Sequence, residues 1–541
     1  MNRWHAATIA MATALFACAS RPPAWNAPVD LSLASYGLNR GAVVLDHEQN
    51  RALVLTAQTD QSLATSILPI GHGGITAMPS PDGERLFVLS GGDAPSSTGN
   101  SQPPMLTVIS IDVNTFVPSE VTYPMVPPLG GLALDPLGHW AVAYVAAFAN
   151  GDRSNTPFVQ DPNQLVFFDL TQPSGTLPQP YELTSFGGSP ARLTFTPTLN
   201  LPEGPGQLVV VEATTSDVHL IDMAHVFQAQ PRTDVVIRLT EADDTTPVTS
   251  QGLAIAPADL PGNPLMAIRT TSSDVISWSL GPPNPGNVNS FEPVVNETSV
   301  LGVPSDIGFV MTDGGLRVAA IVPSTTSAVL FDPVNFTGMT TTVSLPSNLS
   351  RMSLITGDAG GSTGTDVALL WGQYASGVAI WALGDVVSRS YDSTEFISVA
   401  GQVTAVEDVP APNQALKILE ISGGQEFFVL DLVNQTASLL NTTAAPTLSI
   451  SPNDGERVWA FASGETDLAS IDLTTGQSTP LTTVLPISAA YEVARASPSA
   501  TDSRSLLAVS FVGTLGVTVF DAASPRASVS HTYSDLLLEG L

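Results

Sequence analysis

The sequence predicts an all-β chain assembled from about ten copies of one four-stranded unit. Three observations predict it. From residue 40 onward helical periodicity is almost absent, and apolar runs of five to eight residues, often alternating, are split by Gly, Pro, Asn, Asp and Ser turns. The runs group in fours. The third run of most groups meets an Asp, at Asp112, Asp169, Asp222, Asp332, Asp431, Asp472 and Asp521, with separations of 57, 53, 110, 99, 41 and 49 residues. The two long separations each span two periods, and the skipped units carry the same run without the Asp, VISWSL at 275–280 and VAIWAL at 378–383.

Unit starts fall near residues 42, 75, 130, 189, 249, 304, 349, 402, 446 and 489. The first unit is short. AVVLDHE, RALVLTA and ATSILPI supply three strands, and the terminal SDLLLEGL is expected to return as the fourth and so join the chain ends. The second unit contains PSPDGERLFVLSG (79–91), which the ninth repeats as SPNDGERVWAFASG (451–464): an acidic turn with Gly, an Arg, then an alternating apolar run. In the third, GGLALDPLGHWAVAYV folds two strands around a Pro–Gly turn, with NQLVFFD and PYELTSF following. The fourth reads ARLTFTP, QLVVVEA, DVHLIDM and TDVVIRL. An Asp at the end of a strand offers its carboxylate to the N–H groups of the next turn, as in DLTTGQ at 472–477. Turn-capping, rather than catalysis, is therefore the expected role of the seven aspartates, because one carboxylate per repeat spreads them around a ring.

A four-stranded unit repeated every 41–57 residues is the signature of a β-propeller. The chain resembles the broad WD-repeat, YVTN and quinoprotein-like superfamily, on the strength of SPDGER at 80–85 and SPNDGERVW at 451–459. No WD dipeptide recurs, and the tryptophan-rich docking pattern of quinoprotein blades is missing. The repeat count reads as a large ten-bladed ring, similar to sortilin-type domains, or as seven to eight blades if some units are misread. Either reading makes residues 40–541 one propeller domain.

The N-terminus reads MNRWHAATIAMATALFACAS: a short basic start, a twelve-residue apolar stretch from Ala6 to Ala17, and Cys18, the one cysteine of the chain. The apolar stretch is too short for a membrane span and suits a secretion signal. LFAC resembles the lipobox of bacterial lipoproteins, which implies a signal peptide over 1–17, lipidation at Cys18 and a tether over 18–39. Ala17–Cys18–Ala19 also fits an ordinary signal-peptidase cut. Ala19 behind the cysteine resembles the pattern that directs lipoproteins to the outer membrane; secretion or a periplasmic location is the alternative. A single cysteine leaves the body without an internal disulfide.

Only 12% of residues are charged, and 18 basic residues face 49 acidic ones for a net charge of -31. Such a surface repels nucleic acid and anionic lipid, so no nucleic-acid partner is expected and membrane contact runs through the lipid anchor only. The expected partner is another envelope protein or a glycan.

The search for chemistry yields weak constellations. His219 and His225, with Asp217 and Asp222 nearby, are the only close histidine pair, and no HExxH or paired CxxC accompanies them. GGSTG at 360–364 fits G-x-S-x-G with Ser362, yet it lies in a polar loop between strands, without the strand-to-helix elbow that such a nucleophile needs. No cofactor is expected. Calcium is the one ion considered, at Asp358, Ser362 and Asp366, at Asp93, or at Glu241, Asp243 and Asp244; none follows the EF-hand pattern. Trp140, Trp278, Trp371, Trp381 and Trp459 sit inside strand runs, where alternation makes them packing residues between blades, with a sugar platform the alternative for one or two.

Three functions remain. The first is a non-catalytic lipoprotein that binds or scaffolds another macromolecule through propeller loops, with long polar connections at 91–103, 150–162, 281–290 and 357–366. The second is a propeller enzyme of lactonase, lyase or glycosidase type with an axial carboxylate or histidine site. The third is a structural role in a surface layer.

Overall fold

The computed structural model describes residues 35–533, apart from 39, 48, 58–62, 94–100, 126–128, 146–160, 185–187, 230, 241–245, 258–264, 283–290, 313–314, 335–339, 347–348, 356–366, 384–393, 400, 410–412, 414, 423–425, 433, 435, 442–446, 451–456, 494–505, 514–516 and 522–530. These residues form ten four-stranded antiparallel sheets and one two-stranded ribbon. Blades 1 to 10 span 35–69, 74–124, 131–182, 190–238, 250–299, 306–344, 351–398, 403–441, 447–482 and 487–533. In every blade the strands follow chain order, here termed inner, second, third and outer. Among the described residues only blade 4 departs from a plain meander, with the hairpin Leu199–Leu201 and Gly204–Gly206 inserted between its inner and second strands.

Blades 2 to 10 begin within two residues of the positions that the sequence repeat predicts. Blade 1 does not. Its inner strand is Ser35–Leu38, which pairs with Val44–Gly41, so the propeller starts inside the stretch read from sequence as tether. That strand was hard to see because it is four residues long, with a glycine in it and a tight turn behind it. Leu38 nevertheless buries fully against blade 2, and Tyr36 packs beside it. Blade 10 is complete with its own outer strand, His531–Tyr533. Among the described residues the ring closes by packing, with the inner strands Ser35–Leu38 and Ile487–Val493 side by side. The expected closing segment, 534–541, lies outside the described residues.

Alternation within each strand gives every blade two apolar faces, and nine apolar clusters among the described residues each join two consecutive blades. Trp278, Trp381 and Trp459 are fully buried in three of them. Each such side chain removes enough apolar surface from water to stabilise its joint by about 1.5–3 kcal/mol.

The repeated turn is part of this joinery. In blade 2, Asp82 accepts hydrogen bonds from the Glu84 N–H (3.0 Å) and the Ser80 hydroxyl (2.5 Å), shaping the turn between inner and second strands. Arg85 then lies over the Phe87 ring at 5.5 Å and donates to the Gly138 carbonyl of the matching turn in blade 3 at 2.8 Å. Gly138 has φ 73°, and a Cβ there would collide with that guanidinium. In blade 9, Arg457 lies over Trp459 in the same relation at 5.9 Å. The copied turn thus presents an arginine to an aromatic ring two residues later.

All inner strands start at one end of the ring. That end carries the connections between blades and between second and third strands; the opposite end carries the other two kinds of connection. By connectivity 91–103 and 150–162 join second to third strands, and 281–290 and 357–366 are connections of the other two kinds; most of their residues lie outside the described ones. Among the described residues no helix is long and apolar enough to cross a membrane.

Candidate functional site at the axial rim

The strand-end aspartates bind the backbone of their own turns. Asp112 accepts from the N–H groups of Asn114 and Thr115 at 3.0 and 2.8 Å, and Asp472 from those of Thr474 and Thr475 at 2.9 and 2.8 Å. Asp169, Asp332 and Asp431 accept from Thr171, Val334 and Asn434 at 3.0, 2.9 and 3.0 Å. Asp222 caps the short helix Met223–Val226 through the Ala224 N–H at 3.0 Å. Asp521 ends the third strand of blade 10, and its side chain lies outside the described residues. The backbone N–H of Thr115, with its hydroxyl and the Asn114 N–H, holds Asp112 below its ordinary pKa.

His219 and His225 go to different partners. His219 is fully buried in the joint between blades 3 and 4, its Nδ1 hydrogen-bonded to Asp234, whose carboxylate also accepts from the Thr184 N–H of blade 3 at 3.0 Å. The Nε2 of His219 is buried without a hydrogen-bond partner among the described residues. His225 faces Glu203 of the inserted hairpin at 3.1 Å and Gln228 at 2.9 Å, and Glu203 is held in turn by Arg232 at 2.8 Å. Among the described residues no group of three or more His, Cys, Asp and Glu converges as metal ligands would. Asp93 is engaged by the His72 ring and the Gln102 N–H, both at 2.8 Å. Asp358, Ser362, Asp366, Glu241, Asp243, Asp244 and Cys18 lie outside the described residues. Trp140 is half-buried and stacks on Phe227 at 4.9 Å, and Trp371 is half-buried.

A different cluster emerges where the inner strands of blades 4 to 7 start. The inner strands of blades 4 and 5 open with β-bulges, between Pro190 and Arg192 and between Ser250 and Gly252, and the extra residues Ala191 and Gln251 are exposed. Arg192 meets Glu212 at 3.5 Å, and the other Glu212 oxygen accepts a hydrogen bond from Ser250, linking blade 4 to blade 5. Arg269, paired in register with Gly252, lies across that glycine so closely that a Cβ would stand 2.9 Å from its Nε. The one side-chain hydrogen bond of Arg269 among the described residues is long, 3.4 Å to the Pro304 carbonyl at the entry to blade 6. Asp306 accepts from the Ile307 N–H at 3.0 Å and from the Met352 N–H of blade 7 at 2.8 Å. Arg351, exposed beside Met352, completes the arc.

Neither central charge is well compensated. Burial holds Arg269 below its ordinary pKa, Asp306 only partly opposes this, and the like charges of Arg192 and Arg351 add to it. Burial also pushes Asp306 up, despite the Met352 and Ile307 N–H groups and the charges of Arg269 and Arg351. No motif in the sequence pointed here. The one available signal was a set of charged residues within strands of a chain that has few charges, with a glycine inside a strand marking a close approach.

No protein-family model and no curated protein matches the chain. Solved structures are similar to it at low identity. A dihydro-heme d1 dehydrogenase, NirN, aligns at 12% identity over 79% of this chain and 78% of that one, with a TM-score of 0.42. The Dos1 propeller aligns at 12% over 84% and 93%, with a TM-score of 0.36. AztD from Citrobacter koseri aligns at 12% over 74% and 94%, with a TM-score of 0.33.

Proposed function

We propose that the chain is an exported propeller, anchored by lipid at Cys18 to the outer membrane, that binds another envelope protein or a glycan through its connections and catalyses nothing. One observation carries the reading. The polar side chains that the fold draws together hold turns and blade joints, as Asp112, Asp222, Asp234 and Glu212 do, while the apolar clusters between blades make a stiff frame for loops. The end carrying the inner-strand starts is the preferred docking end, because it joins open bulges, half-exposed charge and the segments 91–103 and 150–162. The net charge of -31 favours a neutral or basic partner surface at long range.

Two measurements test this. Mass spectrometry of the mature N-terminus is expected to show a diacylglyceryl cysteine, and an unmodified terminus at Ser20 would remove the anchor. A tether-free body immobilised against an envelope extract is expected to retain one specific protein or glycan, and heat-unfolded body is not. The enzyme reading wins if the purified body hydrolyses or eliminates a lactone or glycoside and replacing Glu212 or Asp306 abolishes that activity.

A further inference from the structure

Eighteen basic residues serve the whole chain, and three arginines of blades 4, 5 and 7 meet at one axial rim. Arg269 sits at the centre. A guanidinium carries five N–H donors, and this one, half-buried, makes a single long hydrogen bond among the described residues. A buried donor left unmatched costs free energy, more so when charged. The strand beneath it keeps a glycine, which weakens a strand unless something must approach closely. The Arg351 side chain makes no hydrogen bond or ion pair among the described residues, and the exposed Arg192 holds its carboxylate only at 3.5 Å. Glu212 and Asp306 are the carboxylates of this rim. Glu212 is already committed to Arg192 and Ser250, and Asp306 to two backbone N–H groups.

We propose that Arg269, Arg351 and Arg192 form an oxyanion-binding site at the axial mouth, built to take a sulfate- or phosphate-like group or a carboxylate presented by the docking partner. Forked guanidinium donors match such oxygens in bidentate fashion. The overall negative charge of the protein does not forbid this, because at physiological ionic strength exposed charges are screened beyond about 8 Å. The site deepens the docking reading of the same face, and the two can fail separately.

The test is calorimetric titration of the full mature chain with sodium sulfate at constant ionic strength, with sodium acetate as a second arm that separates planar carboxylate from tetrahedral oxyanion. Saturable sulfate or acetate binding is expected, weakened about tenfold or more by Arg269→Gln and by the exposed Arg351→Gln, and unchanged by Arg238→Gln on the outer strand of blade 4. Gly252→Ala, which displaces the guanidinium without removing it, is expected to weaken binding as well. If Arg269→Gln fails to fold, Arg351→Gln alone decides. Absence of saturable binding of both anions, or equal weakening by Arg238→Gln, overturns the site while leaving partner capture by the body intact. Loss of capture with sulfate binding retained overturns the docking reading instead.

Discussion

Asp234, buried, and Asp306, half-buried, are aspartates at blade joints, and their pKa values are displaced in opposite directions. Burial alone would raise Asp234, but the hydrogen bond and charge of His219 and the N–H and hydroxyl of Thr184 outweigh it and hold the carboxyl below its ordinary value. At Asp306 burial wins, because its arginine neighbours act at a distance rather than in contact. The joint between blades 3 and 4 thus closes on the Asp234–His219 pair, with the Nε2 of His219 the one ring nitrogen left without a hydrogen bond among the described residues. The axial rim of blades 5 to 7 is electrostatically unfinished on both sides, acid and base alike. A protein that needed only stability at that rim would close Arg269 on Asp306; leaving them apart leaves donors for something else.

The largest expected effect breaks the sealed side. Asp234→Ala strands His219 in an apolar joint and is expected to cost about 3–5 kcal/mol in urea-unfolding free energy. The pH signature follows from the sign of the shift. A depressed folded-state pKa gives stability that is present above the unfolded value, about 3.9, and is lost as pH falls through the folded value. Urea midpoints are therefore expected to fall on acidification in the wild type, and less steeply in Asp234→Asn. An identical acid limb in the two would separate Asp234 from acid sensitivity.

A smaller effect comes from a turn that faces water on one side. Asp222→Ala removes the cap of the helix Met223–Val226 and is expected to cost about 0.5–2 kcal/mol, read by the same unfolding curves. A loss as large as that of Asp234→Ala would mean that the cap also supports the His225 and Glu203 contacts.

The smallest effect has the opposite sign. A raised folded-state pKa gives Asp306 stability that is present at low pH and lost as pH rises through the folded value. Asp306→Asn is therefore expected to be neutral or slightly stabilising at pH 7. Because it removes a negative charge beside Arg269, it is also expected to tighten sulfate binding at that pH. In the wild type sulfate binding is expected to tighten as pH falls and Asp306 takes up its proton, beside Glu212, Arg192, Arg351 and Arg269 of the same rim. A flat pH dependence that Asp306→Asn leaves unchanged would remove Asp306 from the site.

The repeat was legible because a strand-end Asp and a period-two apolar pattern are local signals. Asp112, Asp169 and Asp472 act within three residues of themselves, so spacing alone located them, and nine blade starts followed. Blade 1 was misplaced because Ser35–Leu38 is too short to carry a period, and its burial depends on blade 2, which no local pattern reports. The inserted hairpin Leu199–Leu201 and Gly204–Gly206 was missed for a similar reason: NLPEG reads as loop, and Leu199 and Leu201 find their core in the blade 4–5 cluster. The axial rim was invisible. Arg192, Glu212, Arg269, Asp306 and Arg351 are spread over about 160 residues and meet only because a ring brings the starts of its inner strands together.

The measurement closest to the central claim, that the sealed joint serves stability and the open rim serves binding, is a crossed comparison of Asp234→Ala and Arg269→Gln, each assayed for urea-unfolding free energy and for sulfate affinity in conditions where both are folded. The account predicts that Asp234→Ala loses stability and keeps its affinity, while Arg269→Gln keeps its stability and loses about tenfold or more in affinity. Loss of stability by Arg269→Gln with its affinity intact would contradict it, and would make the rim one more joint.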